Sequence, residues 1–367
     1  MTEQELSAYI QAIRPADEAA MEAARRRQAQ LAKPPGSLGQ LEEISIRLAG
    51  VTGQVCPAMG KCRVAVFAAD NGVVAEGVSC TPPAVTLQQA VNMTFRKTGM
   101  SAMAAAFGDD VSVVDVGIDG DVPPVGVLDR KVRRGTGDIA REDAMTRQQA
   151  LDAMAAGMEQ AARARADGVT ALGIGEMGIG NTTTSAAVLA ALTGADIEAV
   201  TGRGGGLTDE GFLRKKEVLR QALALHRPDG SDVIGVLAGV GGLDLAAMTG
   251  AFLGCAHERV PAAVDGFISI AAALCAVRLC PAVRDVLFLS HDSYEVGYRI
   301  AAETLGLQPC LRLGMRLGEG SGCPLLFRVL EGACGVMRGM ATFGEASIED
   351  SYLDEIRAMD AFTVEGA

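Results

Sequence analysis

Two carboxylates stand in glycine-rich settings that suit proton chemistry. Glu319 lies in Leu317-Gly318-Glu319-Gly320-Ser321-Gly322, and Glu176 in Gly173-Ile174-Gly175-Glu176-Met177-Gly178. A glutamate held in a partly apolar cleft has its pKa raised above about 4.3, toward that of a useful general base. A glutamate that merely answers a helix dipole would read the same way. Residues 173–178 also fit the G-x-G-x-x-G dinucleotide pattern, but Glu176 inside that loop would repel a pyrophosphate. Gly180-Asn181-Thr182 then opens a helical stretch whose free N–H groups suit a phosphate, the plainer reading being an N-cap. Gly202-Arg203-Gly204 forms a second flexible loop before a helix that carries Lys215. Arg203 and Lys215 supply cations for a phosphate or carboxylate, or else belong to a solvated turn. His291-Asp292-Ser293 contains triad residue types, yet neighbours on one loop cannot meet as a triad does, and no G-x-S-x-G elbow is present. Ser293 is better suited to positioning a substrate. Ser79 and Val85-Thr86-Leu87-Gln88 frame one long loop, with Thr86 as a helix cap and Gln88 expected to point back into the crevice.

The elements that must position these residues follow from hydrophobic patterning. Short β-branched apolar runs predict strands over 63–69, 111–117, 169–175, 232–238, 285–290 and 309–314. Ala-rich stretches between them predict helices over 86–107, 147–167, 183–193, 209–225, 243–257, 266–277 and 294–305. Continuous apolar strands with helical crossovers mean an α/β fold, a parallel sheet covered on both faces. Its binding crevice lies beyond the carboxyl ends of the strands, where these motifs fall. Residues 2–50 read as helices broken at Lys33-Pro34-Pro35-Gly36-Ser37-Leu38-Gly39. The expected division is 1–60 as the N-terminal helical part of a small domain, 61–321 as the α/β catalytic domain, and 322–367 as the C-terminal helical part.

Composition narrows the partners. The formal charge of −12 and the absence of Trp argue against a general nucleic-acid binder. Nine cysteines without a C-x-x-C pair, and three histidines, argue against a zinc cluster. The odd cysteine count and an acidic N-terminus that resembles no export signal predict a cytoplasmic protein. No stretch reads as a membrane span. From the residues alone, a nicotinamide-dependent oxidoreductase and a non-catalytic nucleotide-binding protein remain alternatives to a transferase.

Taken in order, the Lys33–Gly39 segment, Gly77-Val78-Ser79 with Val85-Thr86-x-Gln88, Gly175-Glu176-Met177-Gly178-Ile179-Gly180-Asn181-Thr182-Thr183, Gly202-Arg203-Gly204 and Leu317-Gly318-Glu319-Gly320-Ser321-Gly322 resemble one family. It is the nicotinate-nucleotide–dimethylbenzimidazole phosphoribosyltransferase, or CobT, family, and the similarity runs from about 33 to about 344. The resemblance implies a homodimer with a Rossmann-like parallel sheet and a small helical domain. It implies transfer of phosphoribose from nicotinate mononucleotide to a ring nitrogen of 5,6-dimethylbenzimidazole or a related aromatic base, for the cobamide nucleotide loop. No metal or redox cofactor is implied. The family's general base matches Glu319, its second carboxylate Glu176 and its phosphate-side lysine Lys215. Its aromatic-base pocket matches Ser79, Gln88 and Leu317. Its phosphate and ribose contacts match Gly178, Gly180, Asn181, Thr182, Gly202, Arg203 and Gly204, with Ser293 beside them. The chain departs from the family at Asn71 and Tyr298, where histidine is common, and Cys80 abuts the base pocket. These departures bear on the aromatic acceptor, with adenine or a phenol as the alternative, rather than on the reaction.

Overall fold

The computed structural model describes residues 1–358. Three helices, α1 (Glu3–Ala12), α2 (Glu18–Gln30) and α3 (Gln40–Thr52), precede the sheet. There follow β1 (Cys62–Ala69), α4 (Val85–Thr94), α5 (Gly99–Phe107), β2 (Asp110–Gly117), β3 (Val127–Asp129), α6 (Arg147–Ala166) and β4 (Ala171–Met177). Next come α7 (Asn181–Thr193), α8 (Ile197–Val200), α9 (Asp209–His226), α10 (Val233–Val240), α11 (Leu243–Glu258), β5 (Ala262–Val264) and α12 (Phe267–Leu279). The chain closes with β6 (Leu287–Leu289), α13 (Val296–Leu305), α14 (Cys323–Gly339) and α15 (Asp354–Ala358).

The six strands form one parallel sheet in the order β3-β2-β1-β4-β5-β6. The sequence order reverses between β1 and β4, so the crevice between their carboxyl ends is the topological switch point. Beyond Arg63 at its start, β1 is apolar because both of its faces are covered, and Val64 to Ala69 are fully buried. α6, α11 and α12 contribute to the largest core, where Gly157 and Gly250 let α6 and α11 approach backbone to backbone. A second buried cluster joins the chain ends: Ala24, Leu31, Ile46 and Ala49 pack with Met337 of α14.

The strand expected over 232–238 is the helix α10 instead. Asp232 caps it by accepting from Gly235 N at 3.0 Å, and a short, wholly buried apolar run carries no periodicity that separates helix from strand. The run over 309–314 joins no ladder and makes a single bridge, Leu311 to His291. The helix expected over 86–107 is two helices, broken where Arg96 takes a left-handed conformation and Thr98 caps α5. β3 and β5, three residues each, were not anticipated, being too short to give a run. Of the C-terminal part expected over 322–367, residues 359–367 lie outside the described residues.

Candidate active site

A cleft of about 270 Å³ opens at the carboxyl ends of β1, β4, β5 and β6. Glu176 and Glu319 both line it, as do Ser79, Leu317, Arg203 and Ser293. So do Gly178, Gly180, Asn181, Thr182 and Gly204. Residues more than 200 positions apart thus converge because every strand points its carboxyl end the same way.

The two glutamates are joined through the backbone. Glu319 N donates to Glu176 Oε1 at 3.1 Å, and Asn181 Nδ2 donates to Glu176 Oε2 at 2.5 Å. Asn181 Nδ2 also reaches Asp244 Oδ2 at 3.0 Å, so a single amide serves two buried carboxyls. Burial, with the nearby Asp244, pushes the Glu176 carboxyl up to about 8, and burial raises Asp244 to about 6. Asp265 accepts from Gly320 N at 3.0 Å and Gly322 N at 2.7 Å, fixing the loop that carries Glu319. Gly318, Glu319 and Gly320 all have positive φ (80°, 62° and 84°), a left-handed turn that is costly for the one residue with a side chain. A side chain at Gly175 would meet the Glu319 carbonyl oxygen at 2.7 Å, so β4 needs glycine there to let the loop approach. Burial raises the Glu319 carboxyl, while donors from Thr98, Met100 and Gln89 oppose the rise.

Beside these carboxyls the cleft meets a helix end and a buried cation. α7 begins at Asn181 behind a left-handed Gly180, presenting its amino end to the cleft. Lys215 of α9 is wholly buried just beneath, with Nζ 2.8 Å from Thr182 Oγ1. Burial lowers its pKa to about 8, against the pull of Glu295. Gly202 is packed against the Glu295 carboxylate, which is why it tolerates no side chain. Arg203 lines the rim, but its guanidinium is held by Asp209 at 2.5 Å and lies 4.8 Å over the Phe212 ring.

Along the rim, Ser79 folds its loop by donating to Thr81 O and accepting from Thr81 N at 3.1 Å. Leu317 is exposed at the rim and packs against Gly99 at the start of α5. Gln88 is not brought to the cleft. It faces outward on α4, and the adjacent Gln89 reaches in, donating to Glu319 Oε1 at 3.3 Å. A one-residue step on a helix turns a side chain by about 100°, and only the seating of α4 against the sheet decides which glutamine faces inward. Sequence reasoning also assigned no role to Asp265, Glu295 or Arg316. Asp265 follows the unanticipated β5, so the strand-end rule did not reach it. Asn71 lies under the cleft, its Nδ2 3.5 Å from the Ile179 carbonyl oxygen.

The dinucleotide reading of residues 173–178 does not hold. Gly173 and Gly175 lie inside β4, where they admit Cys323 and the Glu319 backbone, and not in a phosphate-binding turn.

Fold and site define the class: an α/β enzyme with a helix amino end beside buried carboxyls at the switch point. A family model described as Phosphoribosyltransferase matches residues 13–348. The chain is 46% identical over 341 residues to the nicotinate-nucleotide–dimethylbenzimidazole phosphoribosyltransferase of Clostridium perfringens, covering 93% of this chain and 94% of that one. It is 46% identical over 347 residues to the protein of the same name from Geobacter metallireducens, covering 94% and 98%. The crystal structure of CobT from Thermus thermophilus superposes with a TM-score of 0.88 at 45% identity, covering 91% of this chain and all of that one. The chain belongs to this phosphoribosyltransferase family, and its sheet and helices share the fold of the solved members.

Proposed function

We propose that the protein moves the phosphoribosyl group of nicotinate mononucleotide to a ring nitrogen of 5,6-dimethylbenzimidazole or a related aromatic base. Nicotinate leaves, and α-ribazole 5′-phosphate for the lower nucleotide loop of a cobamide is formed. The observation that carries the reading is that Glu319 and the amino end of α7 line one cleft, with Lys215 buried beneath Thr182 of that helix end. The carboxylate suits a proton to be removed, the helix end a phosphate to be held. The names of the relatives supply the two substrates.

In this reading the phosphate rests on the amino end of α7 with Lys215 beneath, and the ribose lies across Gly204 and Ser293. The aromatic base sits between Ser79 and Leu317, its N–H toward Glu319. As one ring nitrogen attacks the anomeric carbon, Glu319 takes the proton from the other. The nicotinate nitrogen is already cationic in the nucleotide, so its departure needs no acid. A β-linked donor giving an α-linked product means attack on the opposite face, a single displacement with inversion. Both oxygens of Glu176 are engaged by Asn181 and the Glu319 backbone, so Glu176 first orients the loop of the base. A cationic sugar in the transition state would then favour its ionised form. Holding two flat heterocycles on either side of one ribose supplies much of the remaining rate. We propose further that the enzyme acts as a homodimer.

The test is base-dependent release of nicotinate from nicotinate mononucleotide, with the product identified across a panel of benzimidazoles, adenine and phenols. Glu319→Gln should keep the fold and lower turnover by at least about a hundredfold. Near-normal turnover in that variant would remove Glu319 from the role of base.

A further inference from the structure

Glu319 is gripped by a short chain of side-chain amides running along α4. Gln89 Nε2 donates to Glu319 Oε1 at 3.3 Å, and Asn92 Nδ2, one helical turn on, donates to Gln89 Oε1 at 3.1 Å. The other carboxylate oxygen accepts from Met100 N at 3.4 Å, at the amino end of α5. We propose that Asn92 and Gln89 are positioning residues, a relay that keeps Glu319 in its proton-accepting form and fixes which oxygen meets the acceptor. This rests on Glu319 being the base, as argued above.

A primary amide offers a donor at one end and an acceptor at the other. With Asn92 donating to the Gln89 oxygen, only the Gln89 NH2 is left for Glu319. Gln89 therefore cannot accept the substrate proton, and its donated bond favours the ionised carboxylate. The surroundings press the other way. Burial raises the Glu319 pKa, and Asp265 at the end of β5 adds to the rise. Glu176 on β4 presents an oxygen to the Glu319 backbone. His291 at the end of β6 stands 3.9 Å from Asp265, and Arg316 on the loop of Glu319 itself faces Glu295. With carboxyl groups behind it, the donors from α4 and from the start of α5 are what favour the ionised form of Glu319. The device is readable only in the fold, because Gln89 and Asn92 lie some 230 residues from Glu319 in the chain.

The test is the pH profile of kcat/KM for the aromatic base, measured on the full-length enzyme with saturating nicotinate mononucleotide. The titration of the acceptor is common to all variants and cancels in the comparison. Gln89→Leu should move the acid limb upward by about one pH unit. Asn92→Leu removes the donor that orients Gln89 and adds no charge. It should free the Gln89 amide to turn its carbonyl toward Glu319 and move the limb the same way, from a half-buried position. The double variant should shift no further than Gln89→Leu alone. An unmoved limb in either single variant, or a larger shift in the double one, overturns the relay while leaving the functional reading intact. A wild-type enzyme that releases no nicotinate overturns the functional reading, and the relay with it.

Discussion

Each charged side chain in the cleft has a protonation state set by what surrounds it. Lys215 is a buried ammonium with Thr182 as its hydrogen-bond partner and a pKa lowered to about 8. In the proposed role it would serve a phosphate only when protonated, so the KM for the nucleotide should climb as pH passes about 8. Lys215→Met should raise that KM by about tenfold or more and flatten its pH dependence. Steady-state kinetics between pH 6.5 and 9.5 decides the matter. Glu176 poses the opposite case. Its folded pKa, about 8, lies above its unfolded value, so the protein binds a proton there on folding. That contribution to stability is complete below about 4.5 and is lost as pH rises through about 8. The melting temperature of Glu176→Gln minus that of the wild type should therefore increase between pH 5 and pH 8. A constant difference would mean that Glu176 is ionised throughout. Glu319 was recognisable in the sequence because a carboxylate between glycines is a rare setting. Gln89 was not, since its partner is distant and its neighbour Gln88 carries the same side chain.

At the scale of elements, β4 does most to build the site. Its glycines are not there for flexibility but for closeness, with Gly175 against the Glu319 carbonyl and Gly173 against Cys323 and Phe327 of α14. Gly175→Ala would drive a methyl group into backbone atoms that have no rotamer to escape by. We expect turnover to fall about tenfold or more at a stability cost of about 1–3 kcal/mol. A variant with lowered melting temperature but normal kcat would show that the loop tolerates the push. β1, β2 and β4 were legible because mostly apolar runs of seven or eight residues leave a trace that three-residue strands do not. β5 was not, because three residues suffice when β4 and β6 hold it on either side. α10 was misread for a related reason. A fully buried helix of eight residues shows no polar face, and its Asp232 cap is one residue among many aspartates.

Across the whole molecule, α2 and α3 near the start of the chain pack with α14, and a buried ion pair holds the turn between α2 and α3. Lys33 Nζ lies 2.6 Å from Glu42 Oε1, with side chains only 5% and 12% exposed. Lys33→Met would leave Glu42 buried without its partner, at a cost of about 3–5 kcal/mol. The melting temperature should fall by several degrees, and Lys33→Met with Glu42→Leu should restore most of the loss. A single variant as stable as the wild type would show that Glu42 simply takes up a proton. No described helix is long and apolar enough to cross a membrane. The sequence by itself determined the class of fold and marked Glu319, Glu176 and the glycine loops as candidates, because these rest on local composition and on the rule that strand ends face one crevice. Tertiary structure alone decided which glutamine faces Glu319, and that Asp244 and Asp265 stand behind the site. Those outcomes depend on how helices rotate and seat against a sheet, and no local pattern in the chain records that rotation.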